Sequence, residues 1–188
     1  MQRIETTLPE VLLVEPRVFR DERGFFLETY HQDKFDALGI PDTFVQDNHS
    51  LSARNILRGL HAQRTKPQGK LVRATEGEIF DVAVDIRPGS PTYLQWTGAV
   101  LSDENFRMLW IPAGFAHGFC VLSESAQVQY KCTDFYDPKD EVSIRWDDPR
   151  IGVEWPVREP ELSDRDQAAK TIDEIEGELV PYGGSSAG

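Results

Sequence analysis

The stretch of sequence best suited to chemistry is a basic segment that contains one histidine. Residues 58–73 read RGLHAQRTKPQGKLVR and hold five Lys and Arg residues, His61 and no acid, in a chain with 20 Lys and Arg against 32 Asp and Glu. The net charge of −12 repels polyanions over most of the surface and argues against a nucleic-acid partner. A local cationic segment is still compatible with a small anionic ligand.

Three residues in and after this segment could move a proton to and from carbon. An imidazole such as that of His61 is a general base near neutral pH, and an ammonium such as that of Lys70 stabilises a developing oxyanion. Tyr130 could return a proton, because the alternation of Val128, Tyr130 and Cys132 turns its ring toward the inside of a sheet. Together they predict proton abstraction beside a carbonyl followed by reprotonation, with inversion of the carbon if base and acid lie on opposite faces.

The spacing of Arg58 and His61 requires an irregularity in the backbone. The two residues have opposite parity on a strand, so that a regular strand points them to different faces. A bulge at Gly59 could bring both into one cavity. A structural histidine with both nitrogens satisfied is the alternative reading of His61.

The elements that must carry these residues are mostly strands. Period-two runs punctuated by Gly, Pro, Asn and Asp predict an all-β sandwich or barrel. We expect strands at residues 11–15, 24–30, 43–47, 56–63, 70–77, 78–86, 93–101, 107–112, 118–122, 126–136 and 141–146. Short helical segments are expected at residues 31–40, ending at Gly39, and at 162–179, opened by a Ser163 cap. We expect one domain over residues 1–180 and a disordered tail at 181–188.

A metal site is not expected. The string PAGFAHGF around His117 resembles the second half of the cupin signature, which suggests a jelly-roll barrel, but Gln63 in HAQ stands where a second histidine would be needed. One histidine from each half is too few for a usual transition-metal site, and Cys120 and Cys132 form no C-x-x-C motif.

The sequence contains no apolar run of about 20 residues, and its first residues make a poor signal peptide. The cytoplasm is therefore the expected compartment, and no membrane partner is expected.

Long collinear strings sharpen this interpretation. The segments RGFFLETY, FVQDNHS, RGLHAQ, QGKLVR, LWIPAGFAHGF, YKCTDFYDP and LSDRD, in this order, closely resemble the dTDP-4-dehydrorhamnose 3,5-epimerase family. The resemblance implies a cupin-like jelly-roll homodimer, which converts dTDP-4-dehydro-6-deoxy-D-glucose to dTDP-4-dehydro-L-rhamnose without a cofactor, for dTDP-L-rhamnose biosynthesis.

The resemblance also assigns roles to residues. It implies that His61 is the base, that Asp166 orients it, that Lys70 holds the C4 oxygen and that Tyr130 is the acid. Asp164 is a rival to Asp166, and Arg165 stands where a lysine is familiar. It further implies a set of substrate-binding residues: Arg23, Phe26, Glu28, Gln46, Asp47, Asn48, Arg58, His117, Tyr136, Glu141 and Arg165. Of these, the residues near Arg23–Glu28 are expected to come from the other subunit of the dimer. Within this set Arg58 is expected near the diphosphate and Tyr136 against thymine.

Three alternatives stay open at this stage. A related epimerase could invert only C3 or only C5 with the same residues. A metal-dependent cupin enzyme and a non-catalytic sugar-nucleotide-binding barrel are the others. No role follows from the sequence for Arg64 or Lys66.

Overall fold

The computed structural model describes residues 1–183 and consists mainly of short antiparallel strands. The strands are β1 (Gln2–Glu5), β2 (Leu12–Glu15), β3 (Val18–Asp21), β4 (Gly24–Leu27), β5 (Gln46–Ala53), β6 (Leu57–Gln63), β7 (Lys70–Glu76), β8 (Glu78–Asp85), β9 (Trp96–Ser102), β10 (Met108–Ile111), β11 (Phe115–Val121), β12 (Ser125–Cys132) and β13 (Glu141–Ser143). The helices are α1 (Gln32–Leu38), α2 (Asp164–Gln167) and α3 (Ile172–Ile175), and a 3-10 turn at Glu176–Glu178 follows α3.

Two antiparallel sheets form a sandwich, as the sequence predicts. The six-stranded sheet has the order β1-β2-β10-β7-β12-β5, and the five-stranded sheet has the order β13-β6-β11-β8-β9. From β5 to β12 the chain passes back and forth between the two sheets, with the neighbouring strands β8 and β9 in one of them. Four strands of each sheet thereby form a jelly roll. The predicted all-β jelly-roll fold is confirmed, and β3 and β4 pair separately as a hairpin.

The core between the sheets explains the alternation in the sequence. On β8, Ile79 and Ala83 pack between the sheets, whereas Val82 and Val84 pack on the opposite face. A fully buried Ile or Val side chain contributes roughly 1.5–3 kcal/mol to folding. Because both faces of β8 are covered, five of its eight residues are apolar, and they lie on both faces of the strand.

Short helical segments cover the two outer faces. Phe35 of α1 packs on the outside of the six-stranded sheet, and Gly39 ends the helix with a φ of 92° that favours glycine. Ile172 and Ile175 of α3 pack on the outside of the five-stranded sheet. As predicted, the Ser163 side chain caps α2 by accepting from the Asp166 amide.

The strand predictions were incomplete where the sequence is polar. Strands β1 and β3 were not predicted, and the strand expected at 43–47 begins at Gln46 and continues to Ala53. The inward side chains of β5 include Gln46, Asn48 and Ser50, which line a cavity instead of the apolar core. The predicted disordered tail falls largely on residues 184–188, which lie outside the described residues.

Among the helices of residues 1–183, none has the length and apolar sequence needed to cross a membrane.

Candidate active site

A cavity of about 600 Å³ opens at one end of the sandwich, between the two sheets. All four residues predicted to act in proton transfer contribute to its wall, namely His61, Lys70, Tyr130 and Asp166. Seven of the predicted binding residues contribute as well: Gln46, Asn48, Arg58, His117, Tyr136, Glu141 and Arg165. The sheets therefore gather into one cavity residues that are more than 100 positions apart in the sequence.

A bulge in β6 places Arg58 and His61 on the same face of the strand. His61 lies opposite His117 of β11 and Arg58 lies opposite Phe119, so that three steps in β6 match two steps in β11. Gly59 makes the bulge possible, because its φ is 125° and a Cβ there would lie 2.5 Å from the Cα of Gly118. The irregularity expected at Gly59 is therefore present.

His61 is held by a carboxylate at the start of α2. Its Nε2 lies 2.6 Å from Oδ1 of Asp166, and the Ser163 hydroxyl donates to Oδ2 of Asp166 at 2.9 Å. Burial raises the pKa of Asp166, but the hydrogen bonds from His61 and Ser163 and the charges of His61 and Arg165 lower it below its ordinary value. An ionised Asp166 accepts a hydrogen bond from Nε2–H, which leaves Nδ1 of His61 as the basic nitrogen. Asp166, the residue preferred over Asp164 in the sequence, is the partner.

Lys70 is a buried cation on the sheet that faces His61. It begins β7 beside Cys132 of β12, and only 9% of the residue is exposed. Burial lowers its pKa, and the charges of Cys132, Glu141 and Asp81 oppose the shift. No hydrogen bond from another residue of 1–183 takes part in this balance. The ammonium is therefore available to an oxygen of a ligand.

Tyr130 stands opposite His61. It lies on β12 of the six-stranded sheet, next to the edge strand β5 and between Asn48 and Val72, whereas His61 belongs to the five-stranded sheet. Burial raises the pKa of Tyr130, and the charges of Cys132 and Glu141 raise it further. The phenol is therefore protonated at neutral pH and can act as an acid on the other side of a ligand in the cavity.

A second imidazole–carboxylate pair lies next to the first. Nε2 of His117 is 2.7 Å from Oδ1 of Asp81, and Oδ2 of Asp81 is buried with no hydrogen-bond partner among the described residues. Burial raises the pKa of Asp81 and lowers that of His117, which favours their neutral forms. No role for Asp81 followed from the sequence, although an acid between the apolar residues Phe80 and Val82 was a visible signal.

Glu141 connects two other residues at the mouth of the cavity, Arg165 and Tyr136. Its Oε2 lies 2.6 Å from a guanidinium nitrogen of Arg165 and accepts a hydrogen bond from the Tyr136 hydroxyl at 2.5 Å. The Tyr136 amide donates to Gln46 at 2.9 Å, which ties the mouth to β5. On the far wall, the Arg58 guanidinium donates to the Ser52 hydroxyl at 2.9 Å.

Four predicted binding residues lie outside this cavity. Asp47 points to the opposite face of β5 from Gln46 and Asn48 and bonds Lys131 at 2.9 Å, which corrects the expectation that it lines the site. The reason is the period-two alternation of a strand. Arg23 pairs with Asp21, Phe26 is 69% exposed and Glu28 lies 2.6 Å from Lys34, so that this chain places none of the three in its own cavity.

In residues 1–183, no three His, Cys, Asp or Glu side chains are arranged to hold a metal ion. Cys120 and Cys132 are free and buried.

Comparisons with known proteins give this geometry a family. Residues 5–174 match the sequence profile of the dTDP-4-dehydrorhamnose 3,5-epimerase family. The dTDP-4-dehydrorhamnose 3,5-epimerase of Salmonella typhimurium is 59% identical over 174 residues, which cover 91% of this chain and 95% of that protein. A dTDP-4-dehydrorhamnose 3-epimerase of Streptomyces niveus is 40% identical over 163 residues, covering 86% of this chain and 79% of that protein.

A solved structure agrees with the same assignment. The crystal structure of the dTDP-6-deoxy-D-glucose-3,5-epimerase of Legionella pneumophila in complex with dTDP-4-keto-L-rhamnose superposes with a TM-score of 0.92. Its sequence is 51% identical, and the match covers 96% of this chain and 97% of that one. This chain therefore belongs to the dTDP-4-dehydrorhamnose 3,5-epimerase family.

Proposed function

We propose that this protein inverts C3 and C5 of dTDP-4-dehydro-6-deoxy-D-glucose and so forms dTDP-4-dehydro-L-rhamnose, in dTDP-L-rhamnose biosynthesis. The observation that carries the proposal is the placement of His61 and Tyr130 on facing sheets of one cavity, with Lys70 in the wall on the same sheet as Tyr130. A base and an acid on opposite sides of one ligand invert the carbon that loses and regains its proton.

The chemistry follows from the ketone of the substrate. C3 and C5 are both adjacent to the C4 carbonyl, so that loss of a proton from either carbon gives an enolate with its charge on the same oxygen. The Lys70 ammonium stabilises that oxygen in both steps, in a buried setting where such contacts are strong. His61 takes each proton at Nδ1, and Tyr130 delivers each new proton to the opposite face. No step in this sequence calls on a cofactor.

The remaining wall residues bind and orient the substrate. Asp166 fixes the tautomer and direction of His61. Arg58 supplies a planar cation for the diphosphate, and the half-exposed ring of Tyr136 offers a surface for thymine. The other residues assigned to substrate contact are Gln46, Asn48, His117, Glu141 and Arg165.

We further propose a homodimer in which the partner subunit's Arg23 completes the site. The hairpin of β3 and β4 carries three phenylalanines that are at least half exposed, Phe19, Phe25 and Phe26, and exposed apolar patches mark protein–protein contacts. The test uses two inactive variants, Arg23→Ala and His61→Asn. Co-expression of the two regenerates activity if one subunit reaches the other's cavity, and leaves the mixture inactive if each site is made within one chain.

Proton NMR of turnover in deuterated water tests the proposed reaction. We expect deuterium at both C3 and C5 of the product and no need for an added cofactor. Deuterium at one carbon alone would identify a single-carbon epimerase, and none at either carbon would contradict the proposal. Stoichiometric metal in the active protein, lost together with activity on chelation, would favour the metal-dependent alternative.

We also propose that the protein acts in the cytoplasm, where nucleotide sugars are made. Residues 1–180 are proposed to form one domain.

A further inference from the structure

A second carboxylate lies beside the nitrogen that acts as the base. Oε1 of Glu141 is 3.9 Å from Nδ1 of His61, on the side of the imidazole away from the bond to Asp166. The other oxygen of Glu141 is held by Arg165 and by the Tyr136 hydroxyl. Glu141 is therefore anchored through Oε2, and Oε1 remains directed at the base.

Two successive inversions by one base require that the base be reset. After the first abstraction Nδ1 of His61 carries the proton from carbon, and Nε2–H is already donated to Asp166. The imidazolium cannot take a second proton. When both inversions take place in one binding event, the proton must leave by a route that does not require the ligand to depart.

We propose that Glu141 is the proton relay that resets His61 between the two inversions, an inference that rests on the proposed function. In the relay the N–H bond at Nδ1 breaks and an O–H bond forms at Oε1 of Glu141. The neutral acid then loses the proton to water at the mouth of the cavity, which restores both the carboxylate and the neutral imidazole. The Tyr130 phenolate left by the first inversion takes a proton from water, so that the acid is restored as well and the net charge of the site does not change. No oxidant, reductant or further reactant takes part.

The surroundings of Glu141 suit such a route better than those of the other acids near the base. The Glu141 side chain is 10% exposed and touches Arg165, whose side chain is 46% exposed, so that bulk water is one contact away. Asp166 is already engaged on Nε2, and Asp81 is fully buried beneath His117. The 3.9 Å separation must shorten by about 1 Å to reach hydrogen-bond distance, and such contacts tighten when a ligand binds.

The test is the partition between one and two inversions in Glu141→Gln. In a single turnover in deuterated water, followed by NMR, the rate of each inversion is measured separately, because loss of a substrate contact slows both inversions in proportion. The second inversion should slow by tenfold or more relative to the first, so that a product inverted at one carbon accumulates. Added formate should restore the second inversion by acting as a diffusible proton acceptor, and Glu141→Asp should lie between the two.

Tyr136→Phe is the matched control, because it removes the hydrogen bond from the Tyr136 hydroxyl to Oε2 of Glu141 but keeps the Glu141 carboxylate. We expect it to weaken substrate binding without changing the ratio of the two inversion rates. The relay is refuted if Glu141→Gln keeps the normal ratio, or if it slows both inversions equally and formate has no effect. If the unmodified protein itself inverts only one carbon, the proposed function fails first, and the relay fails with it.

Discussion

The two imidazole–carboxylate pairs of the cavity are built from the same residue types, but the pKa values of their aspartates are shifted in opposite directions. His61 and His117 face each other on paired strands, and each is bonded through Nε2 to an aspartate within 2.7 Å. The first pair borders the mouth, where the His61 side chain is 24% exposed, and the His117 side chain is only 7% exposed. The pKa of Asp166 is lowered, whereas that of Asp81 is raised by burial.

The difference shows that the partners of the carboxylate decide what the imidazole can do. Asp166 receives hydrogen bonds on both oxygens and stays ionised, so that it can balance a positive charge on His61. Asp81 has one oxygen without a partner among residues 1–183, and burial disfavours its charge. The first pair can therefore accept and release a proton during turnover, and the second can only position or donate.

The largest expected effect separates the two histidines. His61→Asn should lower kcat by about 10³-fold, since it removes the general base. His117→Asn should lower kcat by roughly tenfold or less, because it removes only a positioning contact. Steady-state assays of the two variants measure the difference, and equal losses would contradict the division of roles.

Lys70→Met should lower kcat by about 10²-fold to 10³-fold, because it removes the ammonium that stabilises the enolate oxygen. The same substitution should raise the stability of the folded protein at pH 7. Burial lowers the pKa of Lys70, so that holding the charge costs stability at neutral pH, and the cost fades as the pH rises toward about 10. The variant should unfold about 2–4 °C higher at pH 7 for a gain of roughly 1 kcal/mol. Thermal melts at pH 7 and pH 10 check this, and a lower melting temperature at pH 7 would count against it.

Asp166→Asn should lower kcat by about 10²-fold, because the amide no longer fixes the tautomer of His61. The folded-state pKa of Asp166 is lowered, so that its carboxylate contributes stability that is present above about pH 4 and lost as the pH falls through that lowered pKa. Denaturant titrations should show the variant less stable at pH 7 and nearly equal to the unmodified protein at low pH. A stability difference that does not depend on pH would contradict the ionised pairing.

The smallest effect is expected from Asp81→Asn. The pKa of Asp81 is raised, so that its charged form costs stability at neutral pH and costs less as the pH falls. The variant should keep kcat within about tenfold and gain stability at pH 7, with the gain shrinking at acid pH. If Asp81→Asn matched Asp166→Asn in activity and stability, the contrast between the two pairs would not hold.

The sequence predicted most of this site because strands have a simple period. The inward position of Tyr130 followed from alternation, and the need for a bulge at Gly59 followed from the parity of Arg58 and His61. The pairing of His61 with Asp166 came from resemblance, because no local rule joins residues 105 positions apart.

What the sequence did not predict depends on three-dimensional surroundings. Asp47 was assigned with its neighbours as a string, although alternation turns its side chain away from Gln46 and Asn48. The role of Asp81 depends on burial beneath His117, which becomes visible only once β8 and β11 are paired. The approach of Glu141 to Nδ1 of His61 depends on the pairing of β13 with β6.

In the proposed reaction one imidazole, that of His61, removes the protons from both carbons beside the ketone. The most direct test follows deuterium uptake from solvent at C3 and C5 in His61→Asn, with His117→Asn beside it. We expect His61→Asn to take up deuterium at neither carbon and His117→Asn to take it up at both. Uptake at either carbon in His61→Asn at the normal rate would show that another group is the base.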